Sequence, residues 1–203
     1  MFRGCKKFNA DLNDWNVSSV KNMRSMFEDC TLFNGVITAW DVTSVRDMRS
    51  MFEHAKSFNR DISAWKPKVT SSMNSMFKGA LTFDSEVEEW CVSDVRDMSS
   101  MFEEAGNFNR SLSGWYPAKV VNMSSMFKGA ARFNKQLWSE SLYYVTDMSS
   151  MFEDARAFNQ DLNGLVQANV ENISSMFRGA ESFNSSVGWD TSGVVNMSYV
   201  FDE

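Results

Sequence analysis

The sequence predicts an α/β repeat solenoid of eight 25-residue rungs, each pairing a short helix with a short strand or extended arm. Two observations carry this expectation. Met-Phe recurs at Met1, Met26, Met51, Met76, Met101, Met126, Met151 and Met176, always 25 residues apart, and Val200-Phe201 starts a partial ninth copy one residue early. Within each copy the apolar spacing changes from threes to a more open pattern, as expected when one kind of element gives way to another.

With columns numbered 1 to 25 from each Met-Phe, all fifteen Met fall in columns 1 and 23 and all seventeen Phe in columns 2 and 8, counting the residue lost in rung eight between Val187 and Trp189. From column 20 the apolar residues run Val95, Met98, Met101, Phe102, Ala105, Phe108, spaced as one face of a helix. Column 22 holds Asn22, Asp47, Ser72, Asp97, Asn122, Asp147, Asn172 and Asn196, residues that accept the first free N–H groups of a helix. The helix is therefore predicted from column 23 to about column 4, where Gly4, Gly79, Gly129 and Gly179 suit a left-handed C-terminal residue. Columns 12, 15 and 17, as in Leu12, Trp15 and Val17, accept Pro67 and Pro117 at the last position, which predicts a strand or extended arm. An all-β solenoid with an extended Met-x-x-Met-Phe arm is the alternative.

The predicted domain is one array over residues 1–203, with no linker and as part of a longer array, because one rung cannot bury a core and stability belongs to the stack. Column 9 is Asn9, Asn34, Asn59, Asn109, Asn134, Asn159 and Asn184, with Asp84 as the exception; these are predicted to form a structural ladder. Column 3 alternates in sign from Glu53 to Arg178, a solvated charge ladder.

Composition narrows the function. A net charge of -6 with scattered Lys and Arg disfavours nucleic acid, and no apolar run is long enough for a membrane span. Three cysteines do not make a disulfide framework, and Cys5 and Cys30 read as small thiols standing where Ala55 to Ala180 stand in later rungs. His54 is the only histidine, so neither a metal site nor a nucleophile–base pair assembles around it, and no catalytic residue, metal or cofactor is expected.

The pattern Trp-x-Val-x-x-Val-x-Asp-Met-x-x-Met-Phe-x-x-Ala-x-x-Phe-Asn, from Trp40 to Asn59, resembles the repeat of the mycoplasma-type DUF285 surface proteins, also grouped with BspA-like leucine-rich-repeat surface proteins. The resemblance covers essentially the whole chain. It implies a leucine-rich-repeat-like solenoid, an extracellular or cell-surface location and adhesive or interaction roles, with no catalytic residues to carry over.

In a repeat protein a site is sought where a column is violated. In rung six Trp moves from column 15 to column 13 as Trp138, followed by Tyr143 and Tyr144, while Trp115 and Tyr116 lie in the preceding rung. If columns 16 to 19 face outward, these five aromatics form a patch for a protein surface or a sugar ring. The expected function is a non-enzymatic protein–protein interaction scaffold, on a cell surface or within a larger assembly, with a protein partner also able to dock at uncapped ends. The alternative is a carbohydrate-binding adhesin using the aromatics of rungs five and six.

Overall fold

The structure, a computed structural model, describes residues 1–138 and 142–202. Among these residues there is neither a helix nor an extended strand: the backbone is a succession of turns, tied by isolated parallel bridges that join column 22 of each rung to the next, from Asn22 to Asn196. The predicted helix, the predicted strand and the all-β alternative are all corrected by this finding.

The reason lies in the backbone just after column 22. The column-22 side chains do accept the N–H two residues on, Asn22 from Arg24 at 2.8 Å and Asp97 from Ser99 at 3.0 Å. That bond serves an Asx-turn as well as a helix N-cap, so the residue type identifies the bond but not the backbone beyond it. Three residues later the serines of column 25, from Ser25 to Ser175, take φ between 54° and 56°, in the left-handed region that ends a right-handed helix. Met101 N–H then closes onto Met98 O at 3.2 Å, with Ser100 as the third residue, the place where a type II turn requires positive φ.

The same device repeats along the rung. Ala105 N–H closes onto Phe102 O at 3.0 Å with Glu104 at φ 55°, and Phe108 N–H closes onto Ala105 O at 2.9 Å. Trp115 closes onto Leu112 at 3.0 Å. Each closure spans three residues, so successive turn corners that point inward reproduce the apolar spacing of a helical face. Column 4 is left-handed in every rung, but at a turn and not at a helix end.

The N–H groups that a helix would use internally are spent between rungs. Met98 donates to Asn122 O (3.0 Å), Ser100 to Ser124 O (2.9 Å), Phe102 to Met126 O (2.9 Å) and Glu104 to Lys128 O (2.7 Å). All four point the same way, and the pattern recurs from rung to rung. Every buried backbone donor needs a partner, and stacked copies supply one at each level.

The core is built from side-chain columns. Phe102 stacks on Phe108 within its rung at 4.0 Å between ring centroids and on Phe77 of the rung before at 5.6 Å. Trp65 stacks on Trp90 at 6.2 Å, and the indole N–H of each reaches the column-12 carbonyl one rung back, Trp65 to Ile37 and Trp90 to Ile62, both at 3.2 Å. Each Phe fully removed from water contributes about 2–3 kcal/mol, so the stack, with one continuous cluster from Leu12 to Phe177, is where the stability resides.

Candidate functional site

The five aromatics proposed as a patch separate into two groups. Trp115 is 1% exposed and Trp138 is 6% exposed, so both belong to the core. Although Trp138 stands two columns early, its ring enters the Trp ladder and stacks on Trp115 at 6.4 Å with 9° between planes. Burying an indole on an indole outweighs keeping it at the surface. The early backbone position carries a penalty: Trp138 Nε1 is, among the described residues, the buried side-chain polar atom without a hydrogen-bond partner.

Tyr116, Tyr143 and Tyr144 are exposed, at 54%, 71% and 61%. The local sequence dictates this. Leu142 and Val145 occupy columns 17 and 20 and are buried, so the two tyrosines between them form the outward corner of the turn. Column 17 therefore faces inward, contrary to the expectation that columns 16 to 19 all face outward. Tyr116 precedes Pro117, and its carbonyl accepts the Ala118 N–H at 2.9 Å; nearby, Lys119 Nζ meets Asp94 Oδ1 at 2.5 Å.

Rung seven completes the irregular region. Leu165 replaces the ladder Trp, and Val166 is buried beside it where rungs one to five expose column 16. An open cleft of about 210 Å³ lies between rungs six and seven, lined by Gln136, Trp138, Asp161, Asn163 and Leu165 among others. No reading of single columns pointed to this cleft.

The column-9 residues stand on an exposed to half-buried corner. Asn9 Oδ1 accepts the N–H of Asn34 (2.7 Å), Asn34 that of Asn59 (3.0 Å), Asn109 that of Asn134 (3.0 Å), Asn134 that of Asn159 (3.0 Å) and Asn159 that of Asn184 (2.8 Å). Asp84 takes its turn in the chain, accepting from Asn109 N–H at 2.9 Å, and its charge is met by Arg110 at 2.8 Å. Arginine follows at column 10 where aspartate interrupts the asparagines, so the ladder absorbs a carboxylate without leaving it unpaired.

Column 3 forms pairs: Arg3 with Glu28 at 2.7 Å, Lys78 with Glu103 at 3.0 Å, and Glu153 with Lys128 at 2.9 Å and Arg178 at 3.7 Å. Burial pushes the Glu153 carboxyl up, but hydrogen bonds from Lys128 and Ser150 and the charges of Lys128 and Arg178 outweigh it and hold the group below its ordinary range. His54 Nδ1 lies 3.0 Å from Asp29 Oδ1 on a half-exposed corner. Among the described residues no group of three or more His, Cys, Asp or Glu is placed to hold a metal ion, and no helix is long and apolar enough to cross a membrane.

Side chains committed to stacking and an outward tyrosine corner define the class: a repeat coil whose columns serve neighbouring rungs. The chain belongs to the family described as Mycoplasma protein of unknown function, DUF285, whose model matches residues 1–115, 67–164 and 112–203. Among solved structures it is similar to a leucine-rich cell surface protein from Faecalibacterium prausnitzii, at 11% identity over 93% of this chain and 75% of that one, with a TM-score of 0.38. A leucine-rich-repeat protein from Bacteroides ovatus is similar at 12% identity over 97% of this chain and 76% of that one, with a TM-score of 0.35. No curated protein matches.

Proposed function

We propose that this chain is a non-enzymatic protein–protein interaction scaffold, displayed at a cell surface or built into a larger assembly. The observation that carries the reading is the set of outward tyrosines: Tyr143 and Tyr144 stand in water between the buried Leu142 and Val145, and Tyr116 stands in water between the buried Trp115 and Pro117. Tyrosines held this way offer large amphipathic contact area at a low cost in side-chain entropy, which is why they are enriched at interfaces. The solenoid array, the Asn ladder and the core columns serve as the rigid support.

The test is capture of surface and matrix proteins by the immobilised chain, compared with the triple variant Tyr116→Ser, Tyr143→Ser, Tyr144→Ser. The expected result is a partner retained by the wild type and lost by the variant at an unchanged unfolding midpoint. Equal retention by both would remove the outward tyrosines from the proposal.

A second reading, a carbohydrate-binding adhesin, draws on the polar-lined cleft beside Trp138. It ranks second because Trp115 and Trp138, the broadest stacking platforms of the proposed patch, are buried. Glycan-array binding that Asn163→Ala and Tyr143→Ala abolish would promote it, and a blank array would end it.

A further inference from the structure

Column 5 is alanine from Ala55 to Ala180 and cysteine only in the first two rungs, as Cys5 and Cys30. From Ala55 to Ala155 this side chain is fully buried, and its N–H closes the turn from column 2. Same-column residues of neighbouring rungs therefore lie one above the other, and Cys5 and Cys30 occupy the same slot in consecutive rungs.

The Cys30 thiol already reaches across to rung one. It donates to Phe2 O at 2.9 Å, and the same oxygen accepts the Cys5 N–H at 2.9 Å to close the turn of rung one. Cys30 Sγ thus stands at the foot of Cys5. The bonds Phe2 N–H to Met26 O (2.9 Å) and Gly4 N–H to Glu28 O (2.8 Å) hold the two turns in register on either side. A stacking repeat of about 4.8 Å falls inside the roughly 4.4–6.8 Å between Cα atoms that a disulfide spans, and the Cβ atoms close by about 0.3–1 Å to reach the separation a disulfide takes.

We propose that Cys5 and Cys30 are a disulfide-forming pair that staples rung one to rung two in an oxidising environment. The oxidant is a low-molecular-weight disulfide. Cys5 is exposed and reacts first: it loses its proton to solvent, and its thiolate attacks one sulfur of the oxidant, whose S–S bond breaks to release one small thiolate. Cys30 then loses its proton and attacks Cys5 Sγ, breaking the mixed disulfide and releasing the second small thiolate. Two protein thiols are oxidised, and one small disulfide is reduced to two thiols. Burial pushes the Cys30 thiol up, and a nearby Cys5 charge adds to this against the pull of the Cys5 N–H, which suits Cys30 to the second, resolving step. The bridge closes a loop of one repeat and restricts the unfolded chain, so the stack gains stability.

The full chain is incubated with oxidised glutathione, and its thiols are then counted by alkylation and peptide mass spectrometry. The expected result is the loss of two thiols of three, a linked Cys5–Cys30 peptide and a midpoint raised by about 5 °C, all reversed by dithiothreitol. Cys5→Ala and Cys30→Ala each abolish the link and the shift while folding normally, since alanine is the resident of this column elsewhere; Cys91→Ala changes neither. Three persistent thiols, glutathione adducts on separate cysteines, or a link that involves Cys91 would each overturn the proposal.

Discussion

Trp115→Phe and Trp138→Phe remove the same atoms from adjacent levels of one ladder, yet they should differ in cost. Both rings are buried and stack on each other, so the lost area and residual cavity are shared, about 2 kcal/mol in each case. The indole N–H sets them apart. Trp115 Nε1 donates to Val87 O at 2.8 Å, and its loss forfeits a buried hydrogen bond worth about 1 kcal/mol. The forfeit stays modest because Val87 O also accepts the Trp90 N–H at 3.1 Å. Trp138 Nε1 has no partner among the described residues, and deleting a buried orphan returns about 1 kcal/mol or more. Trp115→Phe should therefore destabilise by about 2 kcal/mol more than Trp138→Phe. Urea unfolding followed by circular dichroism, with the denaturant slope checked for constancy, measures the difference. Equal losses within about 0.5 kcal/mol, or a larger loss at Trp138, would refute the reasoning.

The ladders and the rung contacts lead to three further outcomes. Gly35→Ala should lower stability by about 3 kcal/mol because an added Cβ would overlap the Ala10 carbonyl oxygen, whereas Gly106→Ala meets open space and should be neutral; thermal melts of the pair decide it. Asn134→Ala frees both the Asn159 N–H (3.0 Å) and the Gln160 amide (2.7 Å) and should cost about 1 kcal/mol, which Asn134→Asp, still an acceptor, should largely avoid in the same melts. Glu153→Gln should cost about 1 kcal/mol at neutral pH. The folded-state pKa of Glu153 is lowered from 4.5, so its contribution is present above that value and is lost as pH falls through the folded pKa. The gap between wild type and variant, followed by urea unfolding from pH 7 to pH 3, should be flat above about pH 5.5 and close below 4.5; a gap that widens in acid would contradict the pairing.

The period, the columns and the family were legible in the residues alone, because each slot of a stacked array demands the same side chain at every level. Met, Phe, Trp and Asn recur because their neighbours along the axis are copies of themselves. The partners of the charge pairs were legible for the same reason: Lys128 and Glu153 are one repeat apart. The backbone between the slots was not. Asn22 and Asp97 carry out the capping bond their chemistry calls for, yet serine at column 25 turns left-handed, a state that serine seldom adopts and that no local propensity signals. Only the stacked neighbour accounts for it: the N–H groups of Met98, Ser100, Phe102 and Glu104 find carbonyls in the next rung that a lone segment lacks, and those bonds outweigh the local preference for a helix. The same competition decided the aromatics. Trp138 looked like a surface residue because it had left its column, but the vacancy above Trp115 drew its ring into the core and left its N–H unpartnered, while Tyr143 and Tyr144, with no slot to fill, stayed in water. Sequence determined which side chains stack; the tertiary structure decided which backbone lets them stack and which aromatics are left over for a partner.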